Sequence, residues 1–263
     1  MMAQNRLTRF QLDEFAKRQL ADYDAHCPGT LFAEGVEFTI EQAYEIQAAI
    51  ADLRCDRGEQ VIGYKVGCTS AKVRAQLGID HCITGRLFNS EMHQSGTTLS
   101  RSNFTNLAIE GELAVQLSRE PIATDFIAGQ IPTCVSHVVP VIELHHHVIR
   151  GKQPSAGELV ANNAIHAGFV WGDELKSTGV EKDSSLQIFS NDRLLDQCDG
   201  APLIDTINSS LAWLTEVVRQ RGDQLQAGQI ILTGSIPSLL PITDDCTIRV
   251  EAPGFGRTKA ELN

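Results

Sequence analysis

The sequence predicts an α+β protein in which a helical segment, residues 1–58, precedes a sheet-rich body, residues 59–263. Two stretches before Gly58 carry apolar residues at helical spacing. From residue 60 onward, β-branched runs alternate with glycine-containing turns, and helical spacing returns over a long stretch only after Pro202.

In chain order, Leu12, Phe15, Ala16, Leu20 and Tyr23 give an amphipathic helix over residues 10–24. After a loop around Pro28-Gly29, Thr39-Ile-Glu-Gln42 has the form of a capping box. It opens a second helix with Ala43, Ile46, Ile50 and Leu53 on one face, ending before Gly58. Val61–Val66 reads as a strand, and Ser70 caps a short helix that stops at Gly78. Ile83–Phe88 and Leu107–Leu117 are strands. Val135–Leu144 is a buried strand in which Pro140 demands an edge, a bulge or a bend. Residues 155–166 read as a helix leading to Gly168–Gly172. Leu186–Phe189 and Leu194-Leu195 flank Asn191-Asp192 as a hairpin. Pro202 starts a helix bearing Leu203, Ile207, Leu211, Leu214 and Val218, which runs to Gly222. Gln229–Ser235 is a strand entering a glycine turn, Thr247–Glu251 a late strand, and Gly254–Gly256 leads into the tail.

At 263 residues the chain can bury a full core, as one large domain or as a small one plus a large one. Its net charge of −11 argues against nucleic acid or an anionic membrane surface as principal partner. An anionic substrate remains possible, because a bound cation inverts the local field. The cysteines (Cys27, Cys55, Cys68, Cys82, Cys134, Cys198 and Cys246) are odd in number and form no C-x-x-C pair, which suits a reducing compartment. The opening Met-Met-Ala-Gln-Asn-Arg lacks the apolar core of a signal peptide, and no run approaches a transmembrane length. Cytoplasmic is the default location.

The chemistry centres on Leu107–Leu117. Ile109, Leu113, Val115 and Leu117 share one parity; Glu110, Glu112 and Ala114 share the other, so both carboxylates leave the same strand face. Like charges so placed repel, and a divalent cation between them removes the conflict. A solvated acidic face on an edge strand is the alternative. Glu143, at the end of the apolar run Val138–Ile142, is the third acid. With it the set offers three oxygen ligands and leaves positions for substrate and water, an arrangement that suits Mg²⁺ and nearly as well Mn²⁺. Lys65 interrupts a hydrophobic strand. It is either a snorkelling surface lysine or a cation that holds a carboxylate or moves protons, the latter made easier if burial lowers its pKa. The Thr233-Gly234-Ser235 turn offers N–H groups and hydroxyls to an oxyanion. His145-His146-His147 invites a zinc or nickel reading, but consecutive histidines on a strand face opposite ways and cannot all meet one ion, so a solvated loop is expected. No P-loop, G-x-G-x-x-G after a strand, or G-x-S-x-G elbow is present.

Several stretches together resemble one family. Val61-Ile-Gly-Tyr-Lys-Val-Gly-Cys-Thr-Ser70 with Val73–Gly78 is similar to the opening of 2-keto-4-pentenoate hydratases and 4-oxalocrotonate decarboxylases, within the fumarylacetoacetate hydrolase superfamily. Ile109–Ala114 resembles that family's metal-binding Glu-x-Glu strand, Val139–Glu143 the strand of its third acid, and Gln229–Ser235 with Leu240-Pro241 its closing strand and turn. Four motifs in unbroken order, from about residue 40 to the C-terminus, are far more specific than any one alone.

The resemblance implies a mixed β-sheet roll with outer helices and a homo-oligomer built on dimers. It implies Mg²⁺ or Mn²⁺ on Glu110, Glu112 and Glu143, with Lys65 and Thr233, Gly234 and Ser235 near a small 2-oxo or 2-hydroxydienoic acid. Its implied reaction is hydration of 2-hydroxypenta-2,4-dienoate to 4-hydroxy-2-oxopentanoate, in the degradation of aromatic compounds. Decarboxylation of a 4-oxalocrotonate type needs the same enolate and comes second. Acylpyruvate-type C–C hydrolysis is a third reading, and a non-catalytic 2-oxo acid binder is the rival from another class. Two departures bear on the substrate end. Leu144-His-His-His-Val148 replaces an Asp-Ser-Arg-like run, and Ile165, in Ala161-Asn-Asn-Ala-Ile165, stands where a small hydroxyl residue is expected.

Overall fold

Capping boxes launch both N-terminal helices: the Thr8 hydroxyl and Gln11 side chain close α1 (Arg9–Asp24), and Thr39 and Gln42 do the same for α3 (Ile40–Asp56). The short α2 (Thr30–Ala33) lies between them. The structure, a computed structural model, describes residues 6–152, 154–174 and 185–263. The first five residues, on which the reading of the N-terminus partly rests, lie outside this set.

The body begins with β1 (Val61–Gly67), α4 (Ala71–Leu77), β2 (Ile83–Phe88), β3 (Met92–Gln94) and β4 (Thr97–Leu99). There follow the long strands β5 (Leu107–Leu117) and β6 (Val135–His146), then α5 (Ala156–Ala161), β7 (His166–Trp171) and β8 (Asp173–Glu174). The chain ends with β9 (Ser185–Ser190), β10 (Arg193–Asp199), α6 (Gly200–Gln220), β11 (Ile230–Leu232), β12 (Leu240–Pro241), β13 (Cys246–Ala252) and β14 (Gly256–Leu262).

These strands form two sheets. One is ordered β2-β1-β11-β5-β6-β7-β3, with β12 also on β5; the other is β10-β9-β13-β14-β4, with β8 on β14. The first is mixed, since β1–β11 and β3–β7 run parallel. Period two on β5 divides its residues between two cores. Ile109, Leu113, Val115 and Leu117 join Ile188, Ile248 and Val250 of the second sheet and Ile207 and Leu211 of α6 in one cluster. Gly111 belongs to this face, and a Cβ there would lie 2.7 Å from the Ile188 side chain, so any larger residue would force Ile188 to shift. Ala114 faces the other way, into a cluster with Val139, Val141, Phe169 and Leu232. The acids of β5 share that second face.

The N-terminal helices pack on the body through Phe32, Ala43 and Ile46, which join Ile83 of β2 and Leu159 and Val160 of α5. The hairpin at Asn191-Asp192 is present, with φ 46 and 65. Pro140 satisfies its constraint locally. Leu113, its partner on β5, turns its carbonyl to Thr233, and pairing of β6 with β7 starts only at Val141.

Several expectations are corrected. Ser70 precedes α4 but makes no side-chain capping bond. The helix expected over 155–166 stops at Ala161, and His166 already belongs to β7. Between them Asn163, Ala164 and Ile165 are all left-handed, φ 54, 53 and 57. The tail after Gly256 is a full strand paired to β13. Among the described residues, no helix is long and apolar enough to cross a membrane.

Candidate metal-binding active site

The antiparallel register of β5 and β6 sets Glu110 opposite Glu143, Glu112 opposite Val141 and Ala108 opposite His145. All six therefore share one face. On its other edge β5 pairs with β11 only at residues 114–116 and with β12 only at 108–109. The chain from Thr233 to Leu239 arches across the gap between them, beside the two acids. That opening becomes a cleft of about 770 Å³, and Lys65, Glu110, His145 and Ser235 are among the residues lining it.

Each predicted site residue has a definite place. Glu143 is fully buried; its Oε1 lies 3.2 Å from Lys65 Nζ and 2.7 Å from His166 Nδ1. Glu112, also buried, accepts the Gly234 N–H at Oε2, 2.8 Å away. Glu110 is partly exposed and lies with Oε2 3.5 Å from His145 Nε2. The Thr233 hydroxyl donates to the Leu113 carbonyl, so it fastens the turn to β5. Ser235 donates to the carbonyls of Gly111 and Pro237 and lines the cleft. Gly234, at φ 96, sits where a Cβ would come within 2.4 Å of Thr69 Cγ2, so this turn approaches β1 through glycine alone.

The histidine run is not the solvated loop expected of it. His145 and His146 end β6 and are buried; only His147 is exposed. The alternation that keeps three consecutive histidines from meeting one ion also places His145, two residues from Glu143, on the face of that acid. Parity was the signal available in the sequence. His166 was hidden by the helical reading of 155–166.

Ligand atoms of Glu110, Glu143 and His145 all lie within 4.8 Å of one another. His145 Nε2 is 3.5 Å from Glu110 and 3.7 Å from Glu143 Oε2, close to the roughly 3–3.5 Å kept by neighbouring ligands of one small cation with bonds of about 2.1 Å. Among the described residues, Glu112 Oε1, Glu143 Oε2 and both His145 ring nitrogens are buried without a hydrogen-bond partner. Buried polar atoms rarely go unpaired, and a divalent ion is the partner this donor set fits. Glu112, whose carboxyl interacts with those of Glu143 and Glu110, stands beside this trio but is not one of the three residues whose ligand atoms gather within 4.8 Å.

The electrostatics follow from this crowding. Burial, then the charges of Glu143 and Glu110, push the Glu112 carboxyl well above the usual range. Burial acts the same way on Glu143, but Lys65, His145 and His166 outweigh it and hold its carboxyl below the usual range. For Lys65, burial disfavours the ammonium, yet Glu143, Glu110 and Glu112 prevail and raise its pKa. This corrects the expectation of a lysine lowered by burial: Lys65 is a buried partner of Glu143 whose ammonium the surrounding acids favour, not a snorkelling surface residue.

The left-handed turn closes the site's flank. The Asn163 side chain pairs with both the N–H and C=O of Arg86, at 2.7 and 2.8 Å, imitating a strand partner for β2. Gly85 permits this approach, since a Cβ there would lie 2.5 Å from Asn163 O. The turn brings Ala164 O to 3.4 Å from Lys65 Nζ and sets Ile165 in the cleft wall. Three consecutive non-glycine residues in this conformation store strain, as active-site backbones often do.

Residues 86–263 match the family described as fumarylacetoacetate (FAA) hydrolase C-terminal. The chain is similar to the 2-keto-4-pentenoate hydratase of Burkholderia vietnamiensis (strain G4 / LMG 22486), 28% identical over 220 residues, which span 83% of this chain and 84% of the relative. It is 25% identical over 250 residues to the 4-oxalocrotonate decarboxylase of Pseudomonas putida, with 92% of each chain covered. Among solved structures, 4-oxalocrotonate decarboxylase from Pseudomonas putida G7, complexed with magnesium and adipate, superposes with a TM-score of 0.86 at 24% identity, over 98% of this chain and all of that one. Fumarylpyruvate hydrolase from Pseudomonas aeruginosa, in complex with Mn²⁺ and pyruvate, gives 0.58 at 14% identity, over 76% of this chain and 88% of that one. The fold is thus the mixed α+β roll that the resemblance implied.

Proposed function

The chain belongs to the fumarylacetoacetate hydrolase C-terminal family, and from that premise we propose that it is a metal-dependent lyase which hydrates 2-hydroxypenta-2,4-dienoate or a close analogue to the 4-hydroxy-2-oxo acid. The carrying observation is the set of buried atoms without a hydrogen-bond partner among the described residues, Glu112 Oε1, Glu143 Oε2 and His145 Nε2, gathered on one sheet face beside the cleft that His145 and Glu110 line.

Glu110, Glu112, Glu143 and His145 would hold Mg²⁺ or Mn²⁺. The ion, when bound, supplies a Lewis acid for the carboxylate and carbonyl oxygens of a 2-oxo acid and so favours its enolate. Lys65 pairs with Glu143 and keeps it ionised beside the site. His166 fixes the orientation of Glu143 from the other side. Of the turn residues, Ser235 faces the substrate, while Thr233 and Gly234 hold the turn against β5 and against Glu112. All seven cysteines are free thiols, in keeping with a reducing cytoplasm.

Decarboxylation of a 4-oxalocrotonate-type acid is the second reading, supported by the greater share of the chain that aligns with such decarboxylases. The test is incubation with Mg²⁺ and each candidate acid, following ultraviolet loss of the diene and release of CO₂. Metal-dependent loss of the diene without CO₂ is expected. CO₂ from the oxalocrotonate selects the decarboxylase. Metal-dependent binding with no turnover of either acid overturns the lyase reading.

A further inference from the structure

The outer part of the cleft differs in kind from its floor. Of the eight large hydrophobic side chains exposed among the described residues, three gather at its mouth: Val73 at 38%, Ile149 at 39% and Ile236 at 39% relative exposure. They come from three separate segments, yet Leu77 and Leu159 continue the same surface inward. Ile165 completes it, a β-branched residue held at φ 57, a conformation that such side chains rarely tolerate. Apolar side chains left in contact with water around one opening are characteristic of a binding surface.

The charge pattern agrees. Among the described residues that line the cleft, Lys65 is the one lysine or arginine, and its ammonium is already paired with Glu143. Arg74, on the same helix as Val73, is turned to the carbonyls of Cys68 and Thr69. Apart from the imidazoles of His145, beside the acids, and His147, exposed at the edge, a carboxylate at the far end of a substrate would therefore be desolvated against isoleucine and leucine with no lysine or arginine among the described lining residues to meet it.

We infer that the outer cleft is a subsite for an uncharged hydrocarbon substituent at the distal end of a monocarboxylic 2-oxo acid, with Ile149 and Ile165 as its specificity-determining residues. This rests on the metal-dependent 2-oxo acid reading above, and it narrows that reading: a dicarboxylic substrate is disfavoured, and a chain or ring beyond C5 is favoured.

The test is calorimetric titration of the Mn²⁺-loaded protein with oxalate, 2-oxopentanoate, 2-oxooctanoate and 2-oxoadipate. A methylene taken fully out of water contributes about fourfold in affinity. The partly open subsite should thus favour 2-oxooctanoate over 2-oxopentanoate by about tenfold or more, with 2-oxoadipate no tighter than 2-oxopentanoate. Ile149→Lys, a substitution at a partly exposed position, should bring the octanoate-to-pentanoate ratio to within about twofold of one and make 2-oxoadipate bind more tightly than 2-oxooctanoate. Oxalate separates the two levels of failure. If Mn²⁺ does not promote oxalate binding, the metal-lyase reading fails and takes this inference with it. If oxalate binds in a Mn²⁺-dependent way but the tail has no effect, or 2-oxoadipate binds best, or the variant keeps the wild-type ratio, this inference alone is overturned.

Discussion

Glu112 lies beside the carboxyls of Glu143 and Glu110 and accepts the Gly234 N–H. Glu112→Gln resembles the protonated acid that burial already favours, so the metal-free protein should melt within a few degrees of wild type. Its Mg²⁺ affinity should fall about tenfold or more, since a ligand charge is gone. Calorimetric titration checks this, and an unchanged dissociation constant would contradict the assignment of Glu112 to the metal. His145→Ala removes the imidazole without touching a carboxylate and should weaken Mn²⁺ binding by about 10–100-fold. Lys65→Ala differs in kind. It leaves Glu143 buried without its cation, which destabilises the metal-free protein by roughly 3–5 kcal/mol. Bound Mg²⁺ should restore much of the lost melting temperature, while turnover falls by about 10²-fold or more. Full activity in that variant would reduce Lys65 to a structural residue.

At the scale of elements, the site depends on β5 having an interrupted neighbour and β2 having an imitation one. The first was partly legible in the sequence. Alternation along Leu107–Leu117 shows which residues share a face, and the run ending at Glu143 shows a polar side chain delivered at the end of an apolar strand. Alternation cannot show that β11 and β12 pair with opposite ends of β5, because that depends on contacts more than a hundred residues apart in the chain. The imitation strand was not legible at all. Asn-Asn-Ala-Ile continues the helical pattern of α5, and its left-handed course is imposed by Asn163 pairing with Arg86 and by the missing Cβ of Gly85. Gly85→Ala tests this cause. The added methyl should displace the turn, lower stability by about 1–3 kcal/mol and weaken 2-oxopentanoate binding by about tenfold, with Mn²⁺ affinity kept within a few-fold. Calorimetry of both ligands reads the difference, and equal losses for metal and acid would place the damage in the sheet itself.

Over the whole molecule, the helices ahead of β1 and the sheets behind it share one apolar cluster, and a buried ion network ties the same seam. Arg54 of α3 is packed over the Phe88 ring at 3.6 Å and paired with both Glu59 and Glu91. Capping and helical spacing announced α3; nothing local announced that its arginine would be buried, since that follows from where β2 and Tyr23 come to rest. The network makes the seam sensitive to acid. Burial alone would raise the Glu59 carboxyl, but hydrogen bonds from Arg54, Ser90 and Arg57 bring it down to about 2. Because the folded pKa lies below that of an unfolded glutamate, near 4.3, Glu59 contributes stability that is fully present above that value and is lost as pH falls towards 2. The shift corresponds to roughly 2–3 kcal/mol, allowing for the part of the carboxylate that faces water. Urea denaturation between pH 7 and pH 3 should therefore show wild type more stable than Glu59→Gln by about that amount at neutral pH. The two curves should approach one another as the pH drops, because the variant has no carboxylate to protonate. Other buried acids titrate in both proteins and cancel in the difference. A gap that stays constant down to pH 3 would mean that the wild-type advantage comes from packing or neutral hydrogen bonds, with the Arg54–Glu59 charge pair contributing nothing to the docking of the helices.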